Sequence, residues 1–226
     1  MQQELAKVDP YDSIAGTGIM GRAKDVLSKN GHVVGTISID NPSVSVSGME
    51  EESPASIVGR GGSKTFATRP ETELDFDIEK FARTLNGKTD NFSGIFAETW
   101  SERFMTGIDE AEEFQSIFDR VTLDESIWTN DYTGDDKLEE EHWKKWSALL
   151  NLVKSKDLRN VDRDFFFTEL GSWDTHNQMK DALRSQLKAL NFGLEMFVEQ
   201  AKSSGIWDNV SVVIASDFGR TLTPNR

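Results

Sequence analysis

The segment 163–220 constrains the fold more than any other, because two apolar runs flank the clearest amphipathic helix of the chain. The runs, residues 164–170 and 210–215, are typical of strands whose two faces are both covered. A strand–helix–strand unit of this length normally makes a right-handed crossover between parallel strands. Apolar residues three or four positions apart predict one stripe of the helix that packs on a sheet. The stripe comprises Met179, Leu183, Leu187, Leu190, Leu194, Phe197 and Ala201.

An acidic turn follows each of the two predicted strands. Asp174 and His176 come after the first strand, and Asp217 comes shortly after the second. The carboxyl ends of parallel strands share one edge of the sheet, and open α/β sheets bind their ligands at that edge. Neighbouring strands are about 4.8 Å apart, so the three side chains converge if the two strands are neighbours. The pattern therefore predicts a ligand site at the carboxyl edge.

Each residue of this predicted site also has a purely structural interpretation. Asp174 and His176 are candidate metal ligands, because carboxylate and imidazole suit zinc, manganese or iron, but Asp174 would equally cap the following helix. Asp217 is either a ligand or part of an Asx turn. Arg220 either binds an anionic oxygen through two hydrogen bonds or is a surface arginine. Glu169 either points into the same site or ends its strand in solvent, and the residues alone leave these alternatives open.

Further helices and strands are expected before this segment. Residues 49–72 are rich in Glu, Ser, Gly and Pro and are the best candidate for a mobile loop. Residues 139–142 are expected to form a solvated helix start, where acidic side chains complement the helix dipole. The predicted helices cover residues 19–29, 77–85, 91–121, where Gly107 would allow a break, and 138–154, and the strands cover residues 33–39 and 43–47. Helical spacing predicts core positions at Trp143, Trp146, Leu149, Leu150 and Val153.

The composition limits the function classes. A net charge of −14 argues against a nucleic-acid partner, because phosphate contacts need clustered Lys and Arg. The absence of cysteine excludes disulfides, thiolate zinc sites and cysteine nucleophiles. No apolar run approaches membrane-spanning length, so we expect a soluble, acidic globular protein without a membrane span. Residues 1–7 lack the apolar stretch of a signal peptide.

The length suits one domain of ordinary size, but the sequence at both ends leads us to expect that parts of the domain are missing. The chain has 226 residues. Its last predicted strand ends shortly before Arg226, and no strongly apolar strand precedes residue 33. We therefore expect residues 1–226 to be a single incomplete α/β domain, an internal piece of a longer protein that lacks the first strand and the C-terminal part. The sequence indicates no oligomeric state.

Residues 167–178 and 216–220 resemble the motifs of an uncharacterised, sulfatase-like family, domain of unknown function 1501, in the alkaline phosphatase superfamily. That family typically shows Gly-x-Phe-Asp-Thr-His-x-x-Gln, then a long helix, then a strand ending in Ser-Glu-Phe-Gly-Arg-Thr-Pro. Trp173 stands here for the usual Phe, and Asp217 for the usual Glu. Residues 18–22 are similar to the family's Gly-Arg helix, so the resemblance covers most of the chain.

The resemblance implies part of an alkaline-phosphatase-like, mostly parallel sheet with helices on both faces. It also implies metal-dependent hydrolysis of phosphate or sulfate esters, with a small anionic ester as substrate and a divalent metal (Zn, Mn, Mg or Ca) as cofactor. Glu169, Asp174, His176 and Asp217 are the metal ligands in this hypothesis, and Arg220 is the catalytic residue that neutralises developing charge. The nucleophile of the superfamily would lie outside this chain.

The chain departs from the superfamily at two imidazoles. Gln178 stands four residues after Asp174, where alkaline phosphatases carry a metal-binding His. Phe218 stands where a second His follows the aspartate of the later strand. These departures favour one metal over a two-zinc site and motivate the alternative, a non-catalytic binding or structural domain. The isolated chain is expected to be inactive and poorly stable. The resemblance is compatible with secretion, and the compartment stays open.

Overall fold

The described part of the chain is α/β. The computed structural model describes residues 16–49, 55–59, 78–86, 95–121, 137–171, 173–174 and 179–216. Its helices are α1 (Ile19–Lys29), α2 (Ile78–Asn86), α3 (Ile95–Arg120), α4 (Lys137–Lys154) and α5 (Met179–Ser203). Its strands are β1 (Val34–Ile39), β2 (Ser56–Val58) and β3 (Arg163–Thr168). The α/β class and the helices expected before residue 163 are therefore confirmed, and α3 continues through Gly107 without a break.

The strands form one parallel sheet in the order β2-β1-β3. β1 pairs with β3 along its whole length, from Val34 opposite Arg163 to Ile39 opposite Thr168. Successive side chains of a strand point to opposite faces, and Ile39 and its neighbour Ser38 are both buried. Both faces of the central strand are therefore covered. Because all three strands run the same way, their carboxyl ends meet at one edge.

α1 is placed by a close backbone contact near its start. The helix ends at Lys29 and is followed by Gly31, whose φ of 86° is the left-handed conformation that commonly terminates helices. Near the start of α1, Gly21 lies against the backbone of Ser47, where a Cβ would overlap the carbonyl group. α1 therefore packs directly on the chain that follows β1.

Lys24 lies on the buried side of α1. Its side chain is 6% exposed. Burial removes water from the ammonium group and lowers the pKa of Lys24, and the negative charge of Asp25 opposes part of this effect. The Asp25 carboxylate also accepts a hydrogen bond from the backbone N–H of Met49 at 2.7 Å, which ties α1 to the loop after β1.

The core lies between the sheet and helices α4 and α5. α4 contacts β1, β3 and α5. The ring of Trp146 lies 5.3 Å from that of Phe197, centroid to centroid, and a Cβ at Gly193 would overlap the Trp146 ring. Gly193 thus allows α4 and α5 to approach closely. The predicted core positions of α4 are confirmed as buried or partly buried: Trp143, Trp146, Leu149, Leu150 and Val153.

The predicted apolar stripe of α5 is only partly correct. Phe197 and Ala201 are buried, but Leu183 and Leu187 are 38% and 49% exposed. The helix packs chiefly on α4 rather than on the sheet, and a helix–helix contact this close selects small side chains. The buried face is accordingly rotated from the predicted one and consists of Gln186, Ala189, Gly193, Met196, Phe197, Gln200 and Ala201.

The predicted strand over residues 210–215 is wrong. Residues 211–216 pair with no strand of the described sheet, and they follow a 3₁₀ turn over Trp207–Asn209. Val210 packs against the core, whereas Val213 is 88% exposed. An apolar run becomes a strand only when a neighbour supplies the ladder of hydrogen bonds, and no described strand lies beside this one.

The short strand predicted over residues 43–47 is also wrong, and a strand that was not predicted occupies three residues of the segment 49–72. Val44–Val46 forms a 3₁₀ turn rather than a strand, because the hydroxyl of Ser43 accepts a hydrogen bond from the backbone N–H of Ser45 and caps it. β2 lies inside the segment predicted to be a mobile loop, and it pairs with β1. Residues 50–54 and 60–72 of that segment lie outside the described residues.

β3 begins at a buried ion pair. Arg159 donates hydrogen bonds to both carboxylate oxygens of Asp164 at 2.8 and 2.6 Å. Both side chains are 7% exposed. Arg159 also donates to the carbonyl of Leu152 at 2.8 Å, so the pair joins the end of α4 to the start of β3.

None of the described helices has the length and apolarity that a membrane span requires.

Candidate functional site

The carboxyl ends of all three strands lie at one edge of the sheet, which is called the carboxyl edge. Asp40 follows β1, Gly59 follows β2 and Glu169 follows β3. The backbone N–H of Asp40 donates to the carbonyl of Val58 at 2.8 Å, which continues the contact between β1 and β2 by one residue. Asp40 has a φ of 68°, a left-handed conformation that is uncommon for a residue other than glycine. The chain therefore turns sharply at this edge.

A buried lysine of α4 lies at the same edge. The Nζ of Lys145 donates a hydrogen bond to the backbone carbonyl of Glu169 at 2.7 Å. It also pairs with Glu141 at 3.2 Å and with Asp40 at 3.7 Å. We call Asp40, Glu141, Lys145 and the Glu169 carbonyl the carboxyl-edge cluster. It joins the residue after β1, the residue after β3 and one face of α4.

Burial gives this cluster its energetic weight. The side chains of Lys145 and Asp40 are 7% and 15% exposed, whereas that of Glu141 is 41% exposed. A buried ammonium group is costly to desolvate unless opposite charges and hydrogen-bond acceptors surround it. Lys145 has two carboxylates and one carbonyl around it, so its ammonium charge is compensated within the cluster. Through these contacts the cluster can hold the backbone at the carboxyl edge in one conformation.

His142 lies one turn before Trp146 on the buried side of α4. Its side chain is 1% exposed, so the expectation of a solvated helix start over residues 139–142 is wrong at this position. The physical reason is helical periodicity, because residues four apart share a face. Glu140 and Glu141 on the same turn remain partly exposed, as expected.

The turn after β3 carries two of the predicted metal ligands. The side chains of Glu169 and Asp174 are exposed, and Trp173 between them is partly buried. Carboxylates on an exposed turn are donors that fit a divalent cation. Among the described residues, no group of three or more metal-ligating side chains comes together. The metal-binding role of Glu169 and Asp174 stays a prediction.

The other predicted site residues lie outside the described part of the chain. These are His176, Asp217 and Arg220. Their convergence with Asp174 was expected from two neighbouring strands, and the second of these strands is not part of the described sheet. The carboxyl edge itself, with the turn to Asp174 directly after β3, corresponds to the expected position.

Sequence reasoning missed Asp40 and Lys145, although both carry a detectable signal. Asp40 directly follows an apolar strand, the criterion that singled out Asp174 and Asp217. Lys145 has helical spacing to Leu149 and so belongs to the buried stripe of α4, with Glu141 one turn before it. A lysine inside an apolar stripe, four residues after a glutamate, indicates a buried partner elsewhere in the fold.

Comparisons with known proteins place the chain in a family. The sequence profile described as "Protein of unknown function (DUF1501)" matches residues 100–226. A protein named Trigger factor, from Bifidobacterium animalis subsp. lactis, is 27% identical over 122 residues, which cover 54% of this chain and 25% of that protein. The chain thus spans about a quarter of this relative's length. No solved structure matches significantly. The chain belongs to the family of proteins of unknown function called DUF1501.

Proposed function

We propose that the chain is part of a metal-dependent hydrolase of phosphate or sulfate esters, with its site at the carboxyl edge of the β2-β1-β3 sheet. One observation carries the proposal. The turn that bears Glu169 and Asp174 leaves the sheet at this edge, and Lys145 binds its first carbonyl. Parallel α/β sheets bind ligands at their carboxyl edge. An exposed, carboxylate-bearing turn anchored there is suited to hold a cation.

Each proposed residue has a distinct role. Glu169, Asp174, His176 and Asp217 would hold the cation, which when bound supplies a Lewis acid for an ester oxygen. Arg220 would bind an anionic oxygen of the ester through two parallel hydrogen bonds and neutralise the charge that develops during hydrolysis. These roles rest on residue chemistry and on the sequence motifs.

The charge of the chain makes local cations necessary for such a substrate. The net charge is −14, so an anionic ester is repelled at long range. A site for that ester therefore needs concentrated positive charge at short range. Within the proposed site, the divalent cation and Arg220 supply it, and Lys145 does not, because its ammonium group is buried against carboxylates.

The test uses aryl phosphates and aryl sulfates with Zn²⁺, Mn²⁺, Mg²⁺ or Ca²⁺. It is run on this chain and on any longer protein that contains it. Asp174→Ala and Asp217→Ala should each lower kcat/KM by about 100-fold, the effect of losing a group that holds the metal or its ligands. Asp157→Ala is the matched control, because Asp157 is exposed in the loop before β3, at the opposite edge. Absence of hydrolysis with every metal by the longer protein as well as by this chain, or full activity in both site variants, rejects the proposal.

A non-catalytic binding or structural domain is the second candidate. The observation that favours it is the pair Gln178 and Phe218, which occupy the places of two metal-binding imidazoles in alkaline phosphatases. Calorimetric titration with the same four cations separates the candidates. Binding that Asp174→Ala abolishes supports the hydrolase, and no binding by the wild-type protein supports the non-catalytic domain.

A further inference from the structure

We propose that Lys145 is a positioning residue, which holds the turn after β3 against the corner after β1 and thereby sets the geometry of the ester site. The inference rests on the proposed function for its catalytic consequence, but not for its structural content. Lys145 is 24 residues before Glu169 in sequence, and its Nζ binds the Glu169 carbonyl at 2.7 Å. The same ammonium group pairs with Asp40, the residue that follows the neighbouring strand β1.

The position of the Glu169 carbonyl explains why its hydrogen bond comes from a side chain outside the sheet. The ladder between β1 and β3 ends at the pair Ile39–Thr168. Beyond that pair, the N–H of Asp40 donates to Val58 of β2, and Asp40 has the left-handed φ of 68° at which β1 ends. The Glu169 carbonyl is the first one past the ladder, and Lys145 donates to it. The lysine thus extends the hydrogen bonding of β3 by one residue toward Asp174.

The adjacent lysine shows that burial at position 145 serves more than packing. Lys144 is 41% exposed and pairs with Glu140, one turn away on its own helix. Lys145 is 7% exposed and reaches two other segments. A leucine or methionine would fill the same space without the cost of desolvating an ammonium group. The extra capacity of lysine is its hydrogen-bond donors, and one of these goes to Glu169.

A direct catalytic role does not fit this environment. The ammonium group of Lys145 is enclosed by Asp40, Glu141 and the Glu169 carbonyl. An anionic ester would have to displace a carboxylate to reach it. Lys145 therefore acts through the backbone of the turn. Its removal should loosen the turn and the adjoining end of β3 more than it loosens the rest of the sheet.

Hydrogen exchange measured by mass spectrometry tests the positioning role without any substrate. Lys145→Met should speed exchange at the carboxyl end of β3, in peptides covering residues 165–171, by about tenfold, the fold-change that corresponds to losing one hydrogen bond to a charged group. Peptides of β1 should change by less than about twofold. Lys144→Met is the matched control and should change neither. Equal acceleration in both sets of peptides, or no acceleration in peptides covering residues 165–171, overturns the proposal.

Two further variants keep the test decisive. Lys145→Arg retains a cationic donor and should restore most of the protection of residues 165–171. If Lys145→Met alone unfolds, the double variant Lys145→Met/Asp40→Asn removes the negative charge left without its ammonium group. Loss of turn protection in that folded double variant supports the proposal, and wild-type protection there overturns it.

The catalytic consequence is measured separately. Where the wild-type protein hydrolyses an aryl ester, Lys145→Met should lower kcat at least about tenfold with KM changed less than about threefold, as expected when geometry rather than substrate binding is lost. An unchanged kcat overturns the catalytic part of the inference. If the wild-type protein hydrolyses nothing, the proposed function fails, and the exchange experiment still decides whether Lys145 holds the turn.

Discussion

The two apolar runs on either side of α5 have different fates, although their sequences predict the same structure. β3 pairs with β1 through all six of its residues. Residues 211–216 pair with no described strand and are exposed, and the side chain of Val213 is 88% exposed. Both runs are rich in β-branched or aromatic residues, so intrinsic preference for extended structure does not distinguish them.

What distinguishes them is anchoring at the ends. β3 starts at the buried pair of Arg159 and Asp164 and is followed by the contact between Lys145 and Glu169. At the other run, Val210 packs on the core, and the described residues after it lie in solvent. The comparison teaches that an apolar run predicts where a strand can form, whereas a ladder partner and fixed ends decide whether it does.

The largest effect is expected at the start of β3. Arg159→Met should cost about 3–5 kcal/mol of unfolding free energy, because it leaves the Asp164 carboxylate buried without its partner. Urea denaturation of the folded chain measures this. Lys156→Met is the control, since Lys156 is an exposed cation of the same loop, and it should change stability by less than about 0.5 kcal/mol. A loss below about 1 kcal/mol for Arg159→Met would break the argument that charge pairing fixes this strand.

A smaller loss is expected inside β3. Phe166 lies opposite Ile37 in the sheet and packs partly buried against the core. Phe166→Ala should cost about 2–3 kcal/mol, less than the ~3–5 kcal/mol typical of fully buried aromatic residues. Ile214→Ala, on the exposed run, is the comparison and should cost less than about 0.5 kcal/mol. Equal losses at both positions would mean that both runs are packed in solution.

Lys24 extends the comparison to a buried charge whose pKa is lowered. In the unfolded chain Lys24 keeps its ordinary pKa of 10.5, and burial lowers the value in the folded chain. Between the two values the unfolded state binds more protons, so the wild-type protein gains stability as pH rises through this range. Lys24→Met removes the titration. Its stability advantage, expected to be below about 1 kcal/mol at neutral pH, should shrink as pH approaches 10.5.

Chemical denaturation of both proteins at several alkaline pH values checks the Lys24 prediction. Because every other titrating group is common to the two proteins, their difference in unfolding free energy isolates Lys24. A difference that is constant with pH, or that grows in favour of Lys24→Met, contradicts the prediction. A constant difference would mean that folding leaves the pKa of Lys24 unchanged, and a difference that grows in favour of Lys24→Met would mean that folding raises this pKa.

Local signals in the sequence were sufficient for most helices and for β1. α1 was predicted with its observed bounds, because Asn30 and Gly31 form a clear stop signal. β2 was missed because a three-residue strand inside a Ser- and Glu-rich segment carries no detectable period. The face of α5 was misplaced because small residues, above all Gly193, mark a close helix–helix contact that hydrophobicity does not reveal.

The site could be predicted only in part. The carboxyl edge and the acidic turn after β3 follow from the strand pattern. The carboxyl-edge cluster joins Asp40 to Lys145 and Lys145 to Glu169 across long stretches of sequence. Such pairing depends on which strand becomes central, and that is decided by the packing of the whole sheet rather than by any local motif. Arg159 and Asp164, five residues apart, were within reach of a local search, but burial of that pair was not.

The smallest effect is expected at Val213, and it tests most directly the run that pairs with no described strand. Val213→Ser should change the unfolding free energy by less than about 0.5 kcal/mol, because an exposed side chain loses little on truncation. Val58→Ser on β2 is the contrasting variant, since Val58 is 1% exposed, and it should cost more than about 1.5 kcal/mol. In the same protein, amides of residues 211–215 should exchange far faster than those of β3, because they pair with no strand of the described sheet. A large loss of stability for Val213→Ser, together with slow exchange over residues 211–215, would show that this run pairs with another strand in solution. The run and β3 would then differ in which strand they pair with, and not in their capacity to form a strand.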